Sequence, residues 1–280
     1  MDKQVIDQFI KNAIAEDLGD GDHTSLSTIP ANAQGKAKLI IKEDGIIAGV
    51  TLAIEIFKQV DAGLKTEVFI HDGVAVKYGD IALTVSGSTH SILLAERLVL
   101  NCMQRMSGIA TKTDHIVRLL SDYSTQLLDT RKTTPGLRYL EKWAVRIGGG
   151  INHRIGLYDM ILIKDNHVDY AGGIANAITA ANQYLKDQNK ELQIEIEVRN
   201  LEELKQVLEM GNVDRIMLDN FSFTDLTAAV RLIDKKYVTE ASGGITEENI
   251  IQYAACGVDY ISMGALTHSV KSLDMSLKAF

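Results

Sequence analysis

Between Thr130 and Lys164 the chain carries Arg131, Lys132, Arg138, Lys142, Arg146, Arg154 and Lys164 against two acids, Glu141 and Asp159. Seven cations less two anions leave a local +5, with His153 as a further potential cation, in a protein of formal net charge -8. A positive island in an acidic molecule gathers small anions without making the whole surface attractive to polyanions. Arginine forks grip carboxylate or phosphate through two parallel hydrogen bonds, whereas lysine acts as a point charge. Arg131, Lys132, His153, Arg154 and Lys164 exceed the need of one phosphate. Several anionic groups are therefore expected here, such as a polyphosphate together with a di-acid.

Further along, Glu197 and Asp219 end apolar runs. Their carboxylates suit Mg²⁺, which accepts oxygen ligands beside phosphate. They would equally serve as barrel-interior or surface acids paired with Lys or Arg, and the residues alone leave both readings open. Two glycine turns follow, ASGGIT at 241–246 and SMGALTH at 262–268. Small residues at a strand-to-helix turn let backbone N–H groups approach a phosphate at the positive end of a helix. No Cys/His cluster has zinc spacing, and the DNH at 165–167 has no nucleophile beside it. Lys164 opens a competing chemistry. A lysine ending the apolar run MILIK would form a Schiff base, as in barrel aldolases, if burial lowered its basicity. A non-catalytic binder of a phosphorylated carboxylate is a third reading, which pyrophosphate release on turnover would exclude.

The elements that must carry these residues fall into two patterns. Residues 1–16 have apolar positions at helical spacing, and LGDGDHTSLSTIP reads as a polar loop in which His23 is solvated. KAKLIIK, IIAGV, TEVFI, VAVKYG and IALTVSG are short β-branched runs between glycines, with a helix at TLAIEIFKQVD. A long helix starts near Thr89, and Ser107-Gly108 is read as its stop. Arg105 near that stop is assigned to the helix dipole.

From Gln126 apolar runs alternate with helical patterns. Asp129, Lys164, Glu197, Asp219, Ala241 and Met263 close six runs at intervals of 35, 33, 22, 22 and 22 residues, close to the length of a βα unit. Such alternation implies a parallel sheet. A β/α barrel places its chemistry at the strand C-termini and a phosphate site on its last strands. Six strands fall short of eight, so an incomplete barrel is preferred to a doubly wound sheet.

Composition fits this reading. At 280 residues, 46% apolar and 24% charged, the chain is of soluble globular type. Its acidity argues against nucleic acid as a partner. The N-terminal stretch lacks the pattern of a signal peptide, and no run of 18 apolar residues offers a membrane span. Cys102 and Cys256 lie far apart in apolar contexts, which favours buried free thiols and a cytoplasmic setting.

DTRKTTPGLR at 129–138 and GGGINHRIGLYDMILIKDNH at 148–167 closely resemble the quinolinate phosphoribosyltransferase family. The likeness extends through EDLGDGDHTS at 16–25, RMSGIATKT at 105–113, EIEVRN at 195–200, IMLDN at 216–220, SGGI at 242–245 and SMGALTHS at 262–269. It implies an α/β fold: an N-terminal α/β sandwich domain, residues 1–106, completed by the tail at 269–280, and an open β/α barrel at 107–268. It implies a pentosyltransferase that joins phosphoribosyl pyrophosphate to the quinolinate nitrogen. Pyrophosphate and CO₂ are lost, and nicotinate mononucleotide is formed for NAD biosynthesis. Mg²⁺ would accompany phosphoribosyl pyrophosphate, with no organic cofactor. Members act as dimers or higher assemblies, so Arg105 would enter the neighbouring subunit's site, against the dipole assignment. Arg131, His153, Arg154 and Lys164 would hold the two carboxylates, with Thr130 and Lys132 near substrate or pyrophosphate. Glu197 and Asp219 would meet the ribose hydroxyls and Mg²⁺. Ser242, Gly243, Gly244, Met263, Gly264, Ala265 and His268 would cradle the 5-phosphate. A related phosphoribosyltransferase-like protein of molybdenum-transport operons is the nearest alternative, but TRKTTPG, NHR and LIKDNH are intact here.

Overall fold

A computed structural model describes residues 3–280. In chain order the first elements are α1 (Lys3–Leu18), α2 (His23–Thr28), β1 (Gln34–Ile41), β2 (Gly45–Ile46), α3 (Val50–Val60), β3 (Lys65–Val68), β4 (Ala75–Val76), β5 (Ile81–Ser88) and α4 (Thr89–Leu119). The alternating region holds β6 (Gln126–Leu128), α5 (Arg138–Ile147), β7 (Ile161–Ile163), α6 (Asp165–Ala171), α7 (Ile174–Asp187), β8 (Ile194–Val198), α8 (Leu201–Met210) and β9 (Arg215–Asp219). It continues with α9 (Phe223–Ile233), β10 (Val238–Ser242), α10 (Ile250–Ala255), β11 (Tyr260–Ser262), α11 (Ala265–His268) and β12 (Met275–Ala279). The N-terminal helix is found as expected; of the expected span, Met1 and Asp2 lie outside the described residues.

The chain divides into two compact units. One comprises the residues up to Asp114 with Thr134–Gly149 and Leu266–Phe280, the other His115–Thr133 with Gly150–Ala265. The first is built on an antiparallel sheet of order β12-β1-β5-β3. Period-two alternation in β1 and β5 buries Ala37, Leu39, Ile41, Leu83 and Val85. The strand from the far end of the chain, β12, pairs with β1 from Ala37↔Ala279 to Ile41↔Met275.

Two local expectations fail. The segment read as a solvated loop includes the short helix α2, nucleated by Asp22, whose side chain accepts the Ser25 N–H at 3.0 Å as an N-cap. Helix α4 runs through Ser107-Gly108 to Leu119. Ser107 is a fastener: its Oγ accepts the Ala48 N–H at 2.8 Å and donates to the Ala48 carbonyl at 3.1 Å. Gly108 is small because a Cβ there would lie 2.2 Å from the Lys271 carbonyl oxygen. Close backbone approach, rather than helix termination, is what it provides.

The second unit is a parallel six-stranded sheet, β6-β11-β10-β9-β8-β7, with its own helices in each connection from β7 to β11. All five residues of β8 are buried, as a strand covered on both faces requires. Beyond β6 the sheet gains one isolated parallel bridge, Leu128↔Ile151. At the other edge β7 pairs only with β8, so the barrel is open. Among the described residues no helix is long and apolar enough to cross a membrane.

Candidate active site

Parallel register brings the expected acids and glycines together at the strand C-termini. Asp219 pairs with Ser242 across β9 and β10, and Glu197 pairs with Met217 across β8 and β9. Lys164, just past β7, reaches Glu197 with Nζ 3.1 Å from Oε2. This lysine side chain is 46% exposed and ion-paired. That is the opposite of the dry pocket a Schiff-base lysine needs.

Asp219 is oriented by its neighbour. Asn220 adopts the left-handed conformation (φ 56°) and donates from Nδ2 to Asp219 Oδ2 at 2.6 Å. The Asn220 amide side chain lies against Gly243, where a Cβ would fall 2.2 Å from Asn220 Oδ1. Gly243 also has φ 93°. Both facts restrict the position to glycine. The turn differs from expectation in one respect. Residues 243–249 separate β10 from α10, so the Gly243-Gly244 amides do not open a helix. Met263 is buried and donates its N–H to the Leu128 carbonyl at 3.0 Å, leaving Gly264 and Ala265 as the less buried part of the second turn.

The cationic part is held by Asp129, read from the sequence only as the end of a strand, and by Asp159, read only as an offset to charge. Asp129, fully buried, accepts the His153 N–H at 2.9 Å and the Asn152 side-chain amide at 2.6 Å. Asp159 accepts the N–H groups of Ile155 and Gly156 at 2.7 and 2.8 Å, closing the turn that follows Arg154. Arg154 is 9% exposed and donates from Nη1 to the Met160 carbonyl at 3.2 Å. Burial, and then the Arg131 charge, hold its pKa below the usual arginine range. A buried guanidinium that also feels a second positive charge favours an anion as its partner. Arg131 and Lys132 are exposed, with the Lys132 N–H held by Thr130 Oγ1 at 3.0 Å.

His153 is turned into the barrel. Its side chain is 6% exposed, with Nε2 2.9 Å from Glu195 and 3.4 Å from Glu240, both fully buried. Burial alone would lower its pKa, but the close contacts and charges of these two glutamates prevail and raise it to about 9. Burial and the Glu240 charge raise Glu195. Although burial opposes it, the contact with His153 keeps Glu240 below the usual range. Neither glutamate was singled out from the sequence. The available signal was a carboxylate inside a short strand rather than at its end, Glu195 in IEIEV and Glu240 in VTEAS.

Two expected site residues belong to the other unit. Arg105 lies on α4, where Nε and Nη2 donate to Glu141 Oε1 at 3.1 and 2.8 Å. Its guanidinium also donates to the Thr267 and Val270 carbonyls. The Glu141 side chain is 1% exposed and also takes the Thr134 N–H and hydroxyl at 3.0 and 2.7 Å. His268 is exposed, with Nδ1 2.6 Å from Ser269 Oγ.

Comparison with known proteins covers both units. Residues 22–107 match the family model for the N-terminal domain of quinolinate phosphoribosyl transferase, and residues 109–278 match that for its C-terminal domain. A chloroplastic nicotinate-nucleotide pyrophosphorylase (carboxylating) of Arabidopsis thaliana is 50% identical over 286 residues, spanning 96% of this chain and 81% of that protein. A probable enzyme of the same name from Bacillus subtilis is 42% identical over 270 residues, spanning 96% and 92%. The solved nicotinate-nucleotide pyrophosphorylase of Francisella tularensis superposes with a TM-score of 0.92 at 41% identity, covering 100% of this chain and 98% of that one.

Proposed function

The chain belongs to the quinolinate phosphoribosyltransferase family, and from that premise we propose how its residues divide the reaction. The activity is transfer of phosphoribose from phosphoribosyl pyrophosphate to the pyridine nitrogen of quinolinate, with decarboxylation to nicotinate mononucleotide. The observation that carries the assignment is the buried guanidinium of Arg154, a cation shielded from water and shaped to fork onto a carboxylate.

In this reading Arg131 and Arg154 take the two carboxylates, with Lys164 beside them, and orient the ring nitrogen toward the anomeric carbon of the ribose. Glu197 and Asp219 accept hydrogen bonds from the ribose hydroxyls. The Gly243, Gly244 and Gly264 amides, with Ser242, hold the 5-phosphate. Two carboxylates on adjacent strands beside a phosphate loop are a donor set that fits Mg²⁺. When bound there with phosphoribosyl pyrophosphate, the ion supplies charge stabilisation to the departing pyrophosphate. The nitrogen lone pair forms the new N–C bond as the C–O bond to pyrophosphate breaks. The C2–carboxylate bond then cleaves, its electrons resting on C2 beside the cationic ring nitrogen until a proton replaces CO₂. Holding substrate in register is the main task of the protein groups.

The active form we propose is a homodimer in the cytosol, each barrel receiving Arg105 from the partner. The division at 106/107, with the tail returning to the N-terminal domain, is part of the same proposal. Support for the shared site is that Arg105 is preset by Glu141 with a quarter of its side chain exposed. The deciding assay mixes protein, Mg²⁺, phosphoribosyl pyrophosphate and quinolinate and measures CO₂ and pyrophosphate together. Equal release of both is expected; nicotinate as the better substrate would overturn the reading.

A further inference from the structure

The segment carrying His153 and Arg154 is tied to the sheet by little backbone pairing. One isolated bridge at Ile151 joins it to β6. Side chains must therefore fix where Arg154 stands. The Arg154 N–H donates to His153 Nδ1 at 2.7 Å, so the orientation of the imidazole and the placement of the arginine backbone are one variable. The other ring nitrogen meets Glu195 of β8 at 2.9 Å and Glu240 of β10 at 3.4 Å. Glu240 is itself held by Arg215 of β9 at 3.2 Å, and that guanidinium stacks 4.7 Å above the Tyr260 ring of β11. Two strands thus meet the imidazole directly, and two more brace Glu240 from behind.

His153, Glu195 and Glu240 also have the composition of a metal site. The geometry favours direct ion pairing. Nε2 already stands at contact distance from a Glu195 oxygen, and the Arg215 cation occupies the same Glu240 carboxylate. Burying two carboxylates is costly unless they are paired, and an apolar core would serve stability as well or better. Their presence calls for a role beyond packing.

We propose that Glu195 and Glu240 are positioning residues for quinolinate: by clamping the His153 ring from inside the barrel they set the backbone and side chain of Arg154 for the substrate carboxylates. This inference rests on the assignment of quinolinate as the substrate and Arg154 as its ligand.

The test compares Glu195→Gln and Glu240→Gln with the parent enzyme, each checked for fold by circular dichroism and thermal melting. A misplaced arginine should raise the KM for quinolinate at least about tenfold, while the KM for phosphoribosyl pyrophosphate stays within about twofold. Because a glutamine can fail to fold in this core, Glu195→Asp provides a second variant that keeps the charge and withdraws the carboxylate by one methylene. It should show the same quinolinate-selective loss to a smaller degree. A folded variant with parental KM for quinolinate, or with equal losses on both substrates, overturns the proposal. Absence of quinolinate turnover in the parent enzyme would instead overturn the functional reading beneath it.

Discussion

Arg105 and Glu141 form a two-donor contact to one carboxylate oxygen, and the same carboxylate closes on Thr134. Removing the buried acid strands the Arg105 charge and releases Thr134. Glu141→Ala should cost about 3 kcal/mol, since breaking one side of a buried pair leaves an uncompensated charge. Urea denaturation measures this. The double variant with Arg105→Ala should lose clearly less than the sum of the single changes, and strict additivity would contradict the coupling.

Arg131→Ala or Arg154→Ala should lower kcat/KM for quinolinate by about a hundredfold or more with the fold retained, as loss of a charged hydrogen-bonded contact costs 2–5 kcal/mol. Near-parental kcat/KM in either variant removes that residue from the site. If Arg105 serves the partner's barrel, mixing an Arg105→Ala chain with an Arg154→Ala chain should regenerate activity through hybrid dimers. No recovery after demonstrated subunit exchange would count against a shared site.

Gly243→Ala should act on the ribose and phosphate side. Its Cβ would displace the Asn220 amide, which orients Asp219, and the φ of 93° adds backbone strain of about 1–3 kcal/mol. The KM for phosphoribosyl pyrophosphate should rise more than that for quinolinate. Steady-state kinetics with each substrate varied in turn would show the reverse order if the turn does not serve the phosphate.

His153 gives stability a pH dependence. Its folded pKa, raised to about 9 from 6.5, means its contribution is full below about pH 6.5 and is lost as pH climbs through 9. The raised Glu195 acts in the same sense at lower pH, whereas Glu240, depressed, contributes above the usual carboxylate range and fails in acid. Denaturation midpoints measured from pH 6.5 to 9.5 should fall, and His153→Gln should flatten that slope.

What could be read from the sequence follows from how local its cause is. The barrel strands were legible because apolar runs recur at intervals of 22 to 35 residues, the first four of them closed by a charged residue. The short helix after Asp22 was missed because its residues are polar and one side-chain cap decides it. Gly108 looked like a helix stop because the need for it comes from Lys271, distant in sequence. The same distance hid Glu195 and Glu240, whose meaning depends on His153 facing them across the barrel. Glu141 and Asp159 were visible as the only acids in a basic stretch, but as offsets to charge rather than as the fasteners they are.

The pairing of β12 with β1 has a consequence for synthesis. Strands β1, β3 and β5 leave the ribosome early, yet β1 keeps an unpaired edge until residues 275–279 have been made. At 5–20 residues per second the wait after Ser88 lasts roughly ten to forty seconds. The strands of the barrel, between Gln126 and Ser262, all emerge within that interval. The first sheet to be started is thus the last to be finished, and during translation its exposed edge is the part of the nascent chain most in need of protection.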